Sequence, residues 1–195
     1  MKSVLISIRP KWVEKIASGQ KTIEVRKSAP QEVPFKAYLY CTNGEYSPTN
    51  CGKKSISDCL ILNRNVVNGK VIGEFICDKV DEYNFHEGLI EFNSMGLPSR
   101  IYGSYFIFAD DYESMCLSYD EVKNYGKGKT LYGWHISDLK IYDKPRALSE
   151  FCIPCKVSCE NCKNPLYFEC WCEEKGKKIV TRPPQSYMFV EEVEQ

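Results

Sequence analysis

From Ser3 to Arg9 the chain is apolar at Val4, Leu5, Ile6 and Ile8 and rich in β-branched residues, a pattern that predicts a largely buried strand. Pro10 stops it and suits the first turn of a helix, and Gly19 supplies a residue that tolerates the left-handed conformation. The spacing therefore predicts a helix over Lys11–Ser18, with Trp12, Val13, Ile16 and Ala17 as its inner stripe. Beyond Gly19 the period switches to two. Ile23 and Val25 fall on one face, and Thr22, Glu24 and Arg26 on the other. Such a polar row is either a solvated ladder or the lining of a cleft.

The same reading places a third strand at Phe35–Cys41, after a proline-bearing loop. It leaves Thr42–Ser55 as a loop and Ile56–Leu62 undecided between helix and strand. Asn68-Gly69 marks a turn into a strand over Lys70–Val80, whose single acid, Glu74, calls for a cationic partner or a catalytic role. Asp81–Ser104 reads as irregular or weakly helical because Gly88, Gly96 and Pro98 interrupt it, with a short strand at Tyr105–Phe108. Asp110, Asp111 and Glu113 read as a solvated acidic loop. Ser118 followed by Glu121 is a capping box, predicting a helix over Tyr119–Tyr125, and the Gly/Lys run after it reads as a basic connector. Strands follow at Leu131–Ile136 and Leu139–Tyr142, the second broken by Lys144-Pro145. His135 reads as a hydrogen-bonded structural residue beside Trp134. Ser186–Val190 reads as a closing strand, and Glu191–Gln195 as a frayed acidic tail.

Composition narrows what such a chain can do. With 43% hydrophobic residues, 13% of the chain aromatic, 195 residues can bury a substantial core. Acids and bases balance at 26 each, which excludes coating nucleic acid by bulk charge. Basic charge is instead local: Arg9–Lys27 holds six Lys/Arg against two Glu. The apolar run before Arg9 is too short for a secretory or membrane segment, no long apolar run follows, and the expectation is a cytoplasmic protein without membrane contact.

Eleven cysteines in a reducing compartment favour thiols or metal ligands over disulfides. Cys152, Cys155, Cys159 and Cys162 form two CxxC turns separated by three residues, and Cys170 and Cys172 follow within a CWC run. Two such turns present thiolates to one tetrahedral ion, so zinc is the metal this cluster suits, through all four CxxC thiols or through one turn plus Cys170 and Cys172. The tight spacing leaves reduced cysteines as the alternative. An iron–sulfur cluster or redox pair fits less well.

IRPKWVEKIASGQKTIEVRKSAP resembles the opening motif of ASCH domains, members of the PUA-like superfamily. GKVIGEFICDKV and LYGWHISDLKIYDKPRALSEF resemble later stretches in the same order, and RPPQSYMFVEE resembles a closing strand of a bacterial and phage-associated branch. Together they cover about half the chain. The resemblance implies an α+β, mainly β fold, a PUA-like pseudobarrel with short flanking helices over 1–151, a Cys-rich lobe over 152–180 and a closing strand and tail over 181–195. It implies a site between the first helix and the Lys21–Arg26 strand, in a superfamily associated with RNA.

Two functional readings follow. One is a module for RNA or a modified nucleoside, with Arg9, Lys11, Lys21 and Arg26 on phosphate, Glu24 on a base edge and Trp12 or Tyr38 as stacking platforms. The other follows an ASCH-like branch that hydrolyses the amide of acetylated cytidine with a lysine, a threonine and a glutamate. Lys21 matches that lysine, but the nucleophilic threonine's place is Glu24 here; Thr22 lies nearby, and Glu74 is the guess for the glutamate. A blander third reading is a zinc-stabilised protein-interaction domain.

Overall fold

The computed structural model describes residues 1–43, 67–92, 98–105, 107–154 and 178–193. Its largest sheet starts from the apolar run read above. β1 (Ser3–Ile8) is flanked by β3 (Phe35–Cys41) in parallel and by β12 (Tyr187–Phe189) antiparallel. β4 (Lys70–Cys77) and β9 (Ser137–Arg146) extend the sheet in the order β12-β1-β3-β4-β9. One face carries Val4, Ile6, Phe35, Leu39 and Phe75, with Trp134 packed against them. The other carries Leu5, Tyr38 and Val71, with Phe151 packed against them. A strand buried on both faces explains why β1 is apolar at consecutive positions.

The parallel β1–β3 connection contains α1 (Pro10–Ala17) and β2 (Ile23–Arg26). Pro10 opens α1, and Gly19, at φ 74°, turns the chain out of it as expected. Val13 and Ile16 bury the inner face, while Trp12 is half-buried. β2 pairs with β8 (Leu131–His135), which pairs in turn with β5 (Val80–Tyr83), making a second, three-stranded sheet. Strands β10 (Phe151–Ile153), β11 (Lys178–Ile179) and β13 (Glu191–Glu192) form a third. Among the described residues these sheets do not close into a single barrel.

Five sequence expectations are corrected. The stretch read as irregular holds β5 and a hairpin of β6 (Phe85–Phe92) and β7 (Pro98–Tyr105); a register shift between His86 and Leu89 accommodates Gly88, and Pro98 only starts β7. β7 ends at Tyr105, and Ile107 and Phe108, expected to continue a strand, lie outside any strand. The acidic loop is helix α2 (Ala109–Met115), with Asp110 and Asp111 in the first turn, where the helix dipole favours them. Pro145 does not end β9, because β9 is an edge strand of its sheet and a missing N–H there costs no ladder bond. The tail expected to fray pairs through Glu191 and Glu192 with β10. Helix α3 (Tyr119–Gly126) forms as expected, with Ser118 accepting from the Glu121 N–H and Glu121 accepting in return from the Ser118 N–H. No described helix is long and apolar enough to cross a membrane.

Candidate functional site

Two of the three residues in the polar row are buried. Glu24 and Arg26 are 7% and 6% exposed, so the solvated-ladder alternative fails at these two positions, while Thr22 is exposed; Lys21, read on the other face, is 2% exposed. The Glu24 carboxylate lies between the two cations, with Lys21 Nζ 3.5 Å from Oε2 and Arg26 Nε 3.0 Å from Oε1. Lys21 also donates to the carbonyls of Ile23 at 2.8 Å and Met115 at 2.6 Å. Met115 ends α2, so the ammonium sits where the helix dipole favours a cation. Arg26 donates through its two terminal nitrogens to Ser7 O at 2.7 Å and Ser186 O at 3.3 Å, joining β2 to β1 and to the segment before β12. Its Nε–H faces Glu24 as a charge, without an aligned hydrogen bond. Burial pushes the Lys21 ammonium below its usual pKa, and the Glu24 charge opposes that shift.

Above this triad opens a cleft of about 450 Å³, lined by side chains of α1, β2, α3 and the 185 region. Trp12 and Tyr125 line its sides, Glu24 its floor, and Arg9, Asn124 and Gln185 its exposed edge. The volume falls within the usual range for a small-molecule site. Charge in the cleft is mixed, with Arg9, Lys21 and Arg26 set against Glu24 and Glu121. It is less basic than Arg9–Lys27 suggests as a sequence, because Lys11 points to Glu121, 3.4 Å away, and rests over the Trp12 ring at 4.2 Å.

Of the residues singled out from sequence, Arg9, Trp12, Lys21, Glu24 and Arg26 come together here. Thr22 does not: it is exposed, its N–H bonds Ser114 O, and it lies outside the lining. Tyr38 is 3% exposed and donates to Glu192 at 2.6 Å, so it is a core residue rather than a stacking platform. Glu74 sits elsewhere on the main sheet, paired with Lys36 at 3.4 Å and accepting from Tyr142 at 2.6 Å. His135 binds Asp81 at 2.6 Å, the structural role read for it. The α3 residues Glu121, Asn124 and Tyr125 were missed, although the capping box located their helix and the spacing of Glu121 and Tyr125 by one turn could have flagged a shared face.

Cys155, Cys159, Cys162, Cys170 and Cys172 lie outside the described residues. Cys152 is buried in β10, its thiol 3.5 Å from Glu191 O.

A mainly β, α+β fold with a charged cleft between its first helix and second strand is the class these features define. Within that class the chain has the ASCH fold. An ASCH crystal structure from Zymomonas mobilis matches 97% of this chain and 88% of its own, with a TM-score of 0.52 at 17% identity. A single-substitution variant of that ASCH protein matches 98% of this chain and 91% of its own, with the same score at 16% identity. Comparison with protein-family models and with curated proteins gives no match.

Proposed function

We propose that this protein is a binding module for single-stranded RNA or a modified nucleoside, and that one base enters the cleft above Glu24. The observation that carries this reading is a buried carboxylate, set between two cations, in a cleft lined by two aromatic rings. A flat base can stack on Trp12 or Tyr125, and its edge can meet Glu24. The likeness of fold to ASCH supports the reading by analogy. Lys21 and Arg26 hold the carboxylate and tie elements together, which leaves Arg9 as the phosphate contact at the edge.

The test is fluorescence anisotropy of a labelled single-stranded RNA pool across a salt series. With Arg9 as the phosphate contact, log K should fall with log salt at a shallow slope of about −0.7, the contribution of one neutralised phosphate on a single strand. Tyr125→Ala should weaken binding about tenfold through loss of stacking. Absence of binding at low salt overturns the proposal.

A second reading, hydrolysis of an acylamino group such as that of acetylcytidine, has one observation in its favour: burial lowers the Lys21 pKa, and a carboxylate lies 3.5 Å away. In it Glu24 takes the proton of an attacking water, since Thr22 is outside the cleft and Ser7 Oγ donates to Pro184 O at 2.7 Å. Release of cytidine from acetylcytidine, lost in Glu24→Gln, is the result that favours it.

A further inference from the structure

The two cations balance the charge of Glu24 without filling its capacity for hydrogen bonds. An ionised carboxylate accepts at about four positions. Arg26 Nε lies 3.0 Å away but is not aligned for a hydrogen bond, and Lys21 Nζ, at 3.5 Å, stands at the outer limit of one. Both cations also donate to carbonyls, Lys21 to Ile23 and Met115 and Arg26 to Ser7 and Ser186. The carboxylate is only 10% exposed and lines the cleft. A charged acceptor so withdrawn from water gains most from a ligand that brings donors to it.

We infer that the cleft selects guanine, with the Glu24 carboxylate accepting from the ring N1–H and the exocyclic N2 amine of one base. This rests on the base-binding reading above and gives it a substrate class. The argument is one of matching edges. A carboxylate presents two acceptors side by side, and guanine alone among the four bases presents two donors side by side on its Watson–Crick edge. Cytosine and adenine set their amine beside an acceptor ring nitrogen, and uracil flanks its single N–H with two carbonyls. Each of these brings a lone pair against a buried anion, a mismatch that polar sites reject strongly. Trp12 and Tyr125 are indifferent to base identity, because every base has a stacking face. Discrimination therefore falls to Glu24.

Calorimetric titration of the full chain with GMP, AMP, CMP, UMP and IMP tests this, alongside RNA hexamers with and without guanine. GMP should bind at least about tenfold more tightly than AMP, CMP or UMP. IMP keeps N1–H but lacks the N2 amine, so it should lose several-fold against GMP. Glu24→Gln should bring the nucleotides to near-equal affinity, with a thermal melt to show that the variant folds. If it does not fold, the GMP and IMP comparison on the native chain carries the test alone. Binding of all hexamers with equal affinity overturns the guanine assignment and leaves the RNA module standing. Binding of GMP without any RNA sinks the RNA module and upholds guanine selection. No binding of any probe overturns both.

Discussion

At Glu24 a residue that sequence presents as one rung of a polar ladder becomes the centre of a buried charge cluster. Opposite charges buried together are costly to break, because removing one leaves the others unpaired in a poor solvent for charge. Lys21→Met and Glu24→Gln should each lower stability by about 3–5 kcal/mol in urea unfolding, against about 1 kcal/mol or less for an exposed pair. Lys21 also leaves a mark on pH dependence. Its pKa in the folded state lies below the ordinary 10.5, so between those two values the unfolded chain holds the proton that the folded chain has released, and stability from this group rises with pH. Burial pushes Cys41 up to about 11 and Cys77 up to about 12, from 9.0, and these thiols act in the opposite sense, losing stability as pH climbs past 9.0. Stability profiles of native protein and Lys21→Met should therefore diverge in alkali, the variant falling more steeply; parallel profiles would mean that Lys21 keeps an ordinary pKa. The residue types at this site were legible in the sequence, and their burial was not. Alternation reports which residues share a face, but the cover over the polar face of β2 comes from α2, α3 and the 185 region, some 90 to 160 residues away in sequence.

Among the elements, those with strong local signals were read correctly, strands such as Phe35–Cys41 included, and the β6–β7 hairpin was not. Pro10 and Gly19 bracket α1, and the Ser118–Glu121 box starts α3, because proline, glycine and caps act within a few residues of themselves. The β6–β7 hairpin was lost since Gly88 sits at a register shift and Pro98 at a strand start, which only the pairing reveals. Ser118→Ala should cost about 1 kcal/mol and lower Tm by about 2–4 °C, and it should weaken RNA binding as well, because α3 carries Asn124 and Tyr125 into the cleft. Gly73, on β4, faces a closer constraint: a Cβ there would meet Lys140 O at 2.5 Å, backbone that cannot swing aside. Gly73→Ala should therefore separate β4 from β9 and destabilise the protein severely, seen as a lowered urea midpoint.

For the whole molecule, the end of the chain matters more than its acidic composition suggests. Glu192 accepts from Tyr38 at 2.6 Å and meets Arg146 at 3.1 Å, while Arg146 also donates to Glu150 at 2.9 Å. Burial works against the Glu192 charge, but Tyr38 and Arg146 outweigh it and hold its pKa below the usual 4.5. The stability it contributes is present above pH 4.5 and is lost as acid carries it through its lower folded value, so Glu192→Gln should flatten the acid limb of the stability curve. A mainly β fold of the ASCH kind was readable from four ordered stretches of sequence, and the likeness to ASCH structures agrees with it. Sheet order was not, since β1 pairs with β12 across more than 180 residues.

The central claim is that a base enters the cleft over Glu24, and ultraviolet cross-linking of bound RNA, mapped by mass spectrometry, tests it most directly. Cross-links concentrated on Trp12 and Tyr125 are the expected result. RNA cross-linked only to peptides outside α1, β2 and α3 would contradict the claim.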